Sequence, residues 1–125
     1  MIDERKLFIK ILQLDCFITD EIGFDELYLV VKNEKIWPEN QLYKYINPGS
    51  TNINVKIFDL SPNTQIDLEV WDYDYISSND LLGRIPLFID EPGGPYTTDM
   101  IANKKETEKA KYSVTWEIDY MPEQD

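Results

Sequence analysis

The chain is 125 residues long, the size of one ordinary domain, and at 42% hydrophobic and 13% aromatic it is too apolar for a disordered tail. Twenty-four acids against twelve bases leave a formal charge of −12, which opposes standing contact with nucleic acid or anionic membrane and suits a cationic partner, most simply a divalent metal. Histidine is absent, so Ser-His-acid and Cys-His nucleophile systems and the commonest zinc ligand are excluded, and an enzyme is not expected.

The opening MIDERKLFIK mixes charges of both signs and lacks the apolar run of a signal peptide. No stretch reaches the ~20 apolar residues of a membrane span, so a soluble, cytoplasmic protein is expected. Residues 1–5 and 121–125 read as tails around a single domain over 6–120. Leu7, Ile9 and Ile11 alternate with Phe8, Lys10 and Leu12, and this first β-run continues to Phe17. Cys16, the single cysteine, sits inside it and reads as a buried, inert thiol.

An acidic loop, Asp20-Glu-Ile-Gly23-Phe-Asp25-Glu26, leads into the β-rich Tyr28–Val31. Turn signals follow at Trp37-Pro38-Glu39-Asn40 and Asn47-Pro48-Gly49, then a run carrying Val55 and Ile57, then Ser61-Pro62-Asn63. Ile66, Leu68 and Val70 alternate with Gln65, Asp67 and Glu69. A second acidic loop runs from Asp72 to Gly83, and Pro92-Gly93-Gly94-Pro95 marks another turn. Residues 99–111 have helix-forming composition and few apolar positions, predicting a short helix or a long loop. Tyr112, Val114, Trp116 and Ile118 close the chain as a strand with one inward face. Short strands at this spacing predict an all-β, antiparallel sandwich.

The chemistry concentrates in the two acidic loops. Asp72 and Asp74 are two apart at a strand end and point the same way. The Ser77-Ser78-Asn79 stretch lets the chain turn back and bring Asp80 near them. Like charges gathered there cost stability unless a cation lies between them. Calcium, which takes six to eight oxygens in flexible geometry, is a more natural guest than magnesium. Aspartate is also a common turn residue that bonds its own backbone, and on spacing alone that reading stands beside the metal. An EF-hand is excluded, because the position requiring Gly holds Ser77. An Asp-x-Asp transferase would need a nucleotide-binding domain for which the chain has no room, and a carboxylate-pair glycosidase would need a cleft of which there is no sign.

At these residues the sequence resembles a C2 domain, the calcium-dependent phospholipid-binding module, over roughly residues 6–119. Asp72, Asp74, Asp80 and Gly83 follow that family's third-loop pattern, and Asp20, Gly23, Glu26 and Tyr28 follow the first, with Glu26 replacing Asp and Leu27 replacing Pro. Asn47-Pro48 falls where the family often has Asn-Pro, although the Trp-Asn-Glu that commonly follows is absent. The resemblance implies an eight-stranded Greek-key β-sandwich with its metal loops at one edge. It further implies that calcium is held by Asp20, Glu26 or Asp25, Asp72, Asp74 and Asp80, with the backbone carbonyls of Thr19 and Tyr73.

Ile22, Phe24, Tyr75 and Ile76 are apolar or amphipathic residues placed in these turns, either capping the sandwich or entering a membrane. The expected activity is calcium-dependent association with anionic phospholipid membrane, peripheral when calcium is bound. The alternative is a protein-interaction or adaptor module of the same fold, with calcium structural or absent, because Lys32, Lys35, Lys44 and Lys56 are scattered and form no polybasic patch.

Overall fold

The computed structural model describes residues 5–103 and 109–122. The alternating run at the start forms β1 (Leu7–Ile18), whose inward positions are Leu7, Ile9, Ile11, Leu14 and Cys16. The phase changes after Ile11 because a bulge at that point shifts the register against both neighbouring strands. One extra residue there turns Leu14 and Cys16 inward, where strict alternation would have pointed them at solvent.

Strands β2 (Asp25–Val31) and β3 (Glu34–Trp37) are joined by Lys32 and Asn33, both with positive φ, as a two-residue hairpin turn requires. Next come β4 (Lys44–Ile46), β5 (Gly49–Leu60), β6 (Thr64–Asp72) and β7 (Asp80–Ile89). The last three are β8 (Gly93–Asp99), β9 (Ile101–Ala102) and β10 (Lys111–Tyr120).

These segments build two antiparallel sheets. One has the order β5-β1-β10-β8; the other runs β3-β2-β6-β7-β9, with β4 also on β2. Neighbours far apart in sequence, such as β1 and β10, give the sandwich its Greek-key connectivity. Ten segments stand where eight were expected, for two local reasons. β3 pairs with residues 29–31 of β2 and β4 with residues 25–27, so the two share one edge position. β9 is a two-residue addition against Gly83 and Arg84. The inner faces meet through Ile9, Ile11 and Val114 on one sheet and Leu29, Leu68 and Leu87 on the other, all fully buried. Each such side chain stabilises the fold by ~1.5–3 kcal/mol relative to exposure.

Residues 104–108, the middle of the segment expected as helix or loop, lie outside the described residues; its described flanks are the end of β8, β9 and the start of β10. Of the expected tails, residues 1–4 and 123–125 also lie outside. Arg5 donates to the Met121 carbonyl at 3.0 Å and sits 4.6 Å over the Tyr120 ring, and Met121 N–H donates to Lys6 O at 2.9 Å.

Gly83 has a packing reason. A Cβ built there would meet the Ile101 carbonyl oxygen and the Met100 side chain well inside van der Waals distance. Gly83→Ala is therefore expected to push β9 off the sheet edge and destabilise the protein by about 1–3 kcal/mol. Thermal melting checks this; an unchanged midpoint would show that β9 yields freely.

Candidate metal centre

The β1–β2 loop (19–24) and the β6–β7 loop (73–79) meet at one pole, because β2 begins where β6 ends: Leu27 pairs with Asp72. Glu26 N–H donates to Asp72 Oδ1 at 2.9 Å, and Tyr73 N–H donates to Glu26 O at 2.7 Å. The two acidic loops are thus tied through backbone and side chain together.

Asp25 is fully buried and organises the first loop from inside. Its carboxylate accepts Asp20 N–H on both oxygens and Glu21 N–H on one, each at 3.0 Å, and it also accepts the Tyr112 hydroxyl from β10. Wrapping these amides around one anion is what curls residues 20–24, with Gly23 at positive φ closing the turn. Burial, and then the bond to Asp25, pushes the Tyr112 hydroxyl far up, so it remains a donor. Burial likewise raises the Cys16 thiol, which bonds to Tyr112; it is an inert part of the same buried group.

Asp72 is the opposite case. It is only 5% exposed, and the donor it meets is the Glu26 amide. Burial pushes its carboxyl up to about 7, with the negative charges of Glu21, Asp25 and Asp20 adding to the rise and the Glu26 amide opposing it. Glu21 is raised too, by burial first and then by Asp25, Glu26, Asp20 and Asp74. One carboxylate oxygen from each of Glu21, Asp25 and Asp72 falls within 4.8 Å of the others. In the same first loop, Glu26 Oε2 is buried without a hydrogen-bond partner among the described residues. A buried anionic oxygen with no donor is costly unless a cation completes it.

The remaining expected ligands occupy different positions. Asp74 is exposed and accepts Ile76 N–H at 2.8 Å, Ser77 N–H at 3.3 Å and Ser77 Oγ at 2.7 Å, bonds that lower its carboxyl below the usual range. It holds the turn of its own loop, which Asn79 braces by accepting Asp74 N–H at 2.9 Å and donating to the Tyr28 hydroxyl at 2.8 Å. Asp80 opens β7 directly across from Asp72, and Asp20 lies near enough for its charge to act on both Asp72 and Glu21. The donors converging at the pole are hard carboxylate oxygens, the chemistry that suits calcium.

Sequence comparison against family models and against curated proteins finds no match. Comparison of structures does. The chain is similar to a C2 domain, the first, of plant Extended Synaptotagmin 1, with a TM-score of 0.62 at 15% identity, covering 100% of both chains. It is similar to a structure of CC2D1B, with a TM-score of 0.57 at 12% identity, covering 94% of this chain and 55% of that one. A further C2 domain structure gives a TM-score of 0.52 at 17% identity, covering 91% of this chain and 97% of the other.

The chain has the C2 fold.

At the loop pole of this C2 fold, Ile22, Phe24, Tyr75 and Ile76 are exposed. Phe24 meets Tyr45 edge-on at 4.9 Å, Tyr45 meets Tyr43 at 5.3 Å, and Tyr43 stacks on Tyr73 at 5.2 Å and contacts Tyr75 at 6.1 Å. Five rings from three separate segments thus form one continuous aromatic band.

Two features here escape a reading of spacing. Glu21 reaches the cluster because Asp25 captures its backbone amide; the only signal was an acid next to Asp20. Tyr43 and Tyr45 join the band because β4 lies on the edge of β2 beside the first loop, with Tyr45 opposite Glu26. Their alternation, Tyr-Lys-Tyr, was the available sign.

Proposed function

We propose that this chain is a calcium-binding C2 module that docks peripherally on phospholipid membrane when calcium is bound, as a binding module rather than an enzyme. The observation that carries the reading is Asp72, buried among like charges with the Glu26 amide as its donor, together with the partnerless Glu26 Oε2. Asp72, Glu21 and Glu26 would hold the ion, with Asp25 contributing what its own hydrogen bonds leave free and Asp20 and Asp80 at hand. Bound calcium supplies positive charge that cancels the acidic pole and leaves coordination positions for lipid phosphate.

This chain's residues do the rest. Asp25 fixes the first loop against Tyr112, and Asp74 and Asn79 fix the second. Ile22, Phe24, Tyr75 and Ile76 are thereby presented outward, at the level where aromatic side chains favour the headgroup boundary. In the calcium-free state the acids repel an anionic surface and keep these tips off it.

Calcium is expected to raise the melting midpoint, with about 2.7 kcal/mol of stabilisation at one hundred times the dissociation constant. Vesicles should pellet the protein in calcium and release it in chelator. A melting midpoint indifferent to calcium removes the metal, and equal pelleting in both conditions removes the gating. Retention of a protein partner from lysate in chelator, with no vesicle binding in calcium, would instead assign the chain to the adaptor class.

A further inference from the structure

Beside the loop tips, Gln41, Leu42, Tyr43, Lys44 and Tyr45 line an open concavity of ≈480 Å³. Its two rings, Tyr43 and Tyr45, meet at 77° with centroids 5.3 Å apart and form a corner. The corner is held in place: Tyr43 Oη lies 3.3 Å from Tyr45 Oη and 2.6 Å from Tyr75 Oη, Tyr43 stacks on Tyr73, and Phe24 abuts Tyr45. Cations stand on the other side, since Lys44 lines the concavity and Lys35 Nζ donates to the Gln41 carbonyl. Electron-rich ring faces set next to ammonium groups match a ligand that carries both signs of charge.

We infer that this corner takes the phosphocholine headgroup of a zwitterionic lipid bilayer, its quaternary ammonium against Tyr43 and Tyr45 and its phosphate towards Lys44. The inference rests on the membrane-docking reading above and names the lipid. A quaternary ammonium is attracted to tyrosine faces and has no N–H to lose to water. Charge decides against a purely anionic headgroup. Lys44 would attract it, but the chain carries −12, and the exposed Asp74 and Glu21 stand at the same pole. Phosphocholine brings its own cation and offsets that repulsion.

The experiment uses the full chain in calcium at physiological salt, with vesicles of phosphatidylcholine alone and of phosphatidylserine alone. Binding to phosphatidylcholine at least as strong as to phosphatidylserine is expected. Tyr45→Leu, which keeps the apolar bulk and removes the ring, should weaken phosphatidylcholine binding roughly fivefold, while Tyr45→Phe stays within about twofold. Melting curves establish that both variants fold.

Binding to phosphatidylserine alone overturns this inference and leaves the calcium-gated reading standing. Binding to neither vesicle removes both. Equal binding by Tyr45→Leu also overturns it, because apolar insertion without ring recognition would then suffice. Soluble phosphocholine provides the last arm: weak competition is expected, whereas tight binding of the free headgroup without vesicle binding would assign the corner to a soluble ligand and overturn the bilayer.

Discussion

Asp72→Asn is expected to raise the melting midpoint of the calcium-free protein near pH 8 by several degrees while abolishing its response to calcium. The amide keeps an oxygen for the Glu26 N–H, the bond that ties the two loops, and removes a charge that burial and Glu21, Asp25 and Asp20 all oppose. Charging a carboxyl that the fold holds at about 7, rather than the ordinary 3.8, costs on the order of 4 kcal/mol in the calcium-free state. The variant recovers part of that and forfeits the ligand. A turn aspartate of ordinary kind would behave oppositely, losing stability in chelator; that result would end the metal reading at this residue.

The same carboxyl sets a pH dependence. Its folded value lies above its unfolded value, so its stabilising contribution is complete below about pH 4 and is lost as pH rises through 7. In chelator the wild type should therefore lose stability relative to Asp72→Asn across that window. Calcium has to displace the proton, so its affinity should fall by up to about tenfold for each pH unit below 7. Calorimetric titration at about pH 7.5 and about pH 5.5 reads this directly. An affinity that does not change with pH would place the ion away from Asp72.

Asp25→Asn is expected to do the reverse in chelator, destabilising the protein by about 3–5 kcal/mol, a fall of roughly ten degrees or more. The buried carboxylate accepts the Asp20 and Glu21 amides and the Tyr112 hydroxyl, all of them donors. An asparagine must turn its own NH₂ towards at least one of them, leaving buried donors face to face. Tyr112→Phe removes one bond and should cost less, about 1.5–3 kcal/mol. Two buried acids a few ångströms apart are thus expected to respond with opposite sign, because one is surrounded by donors and the other by charges like its own. Equal losses for both variants in chelator would mean that Asp72 too is a structural anchor.

The band of rings shows how much of the membrane face depends on assembly. Ile22, Phe24, Tyr75 and Ile76 stood out in the sequence as apolar residues in turns, and all four are exposed at the pole. Tyr43 and Tyr45 did not, because their place depends on β4 pairing with residues 25–27 of β2. Strand pairing across a long loop carries no local signal.

Alternation of apolar residues was enough to give an antiparallel sandwich, because a strand shows its buried face every second residue. It could not give the bulge after Ile11 or the hairpin at Lys32-Asn33, where backbone geometry departs from what those residue types favour. The chain order of acids and turns also told which two loops carry carboxylates. Which acid serves which purpose was settled by distance and burial. Asp25 meets a tyrosine 87 residues away, Asp74 turns back on its own loop, and Asp72 and Glu21 are left facing charges like their own. Identical side chains differ only in their surroundings, and surroundings come from contacts between residues distant in the chain.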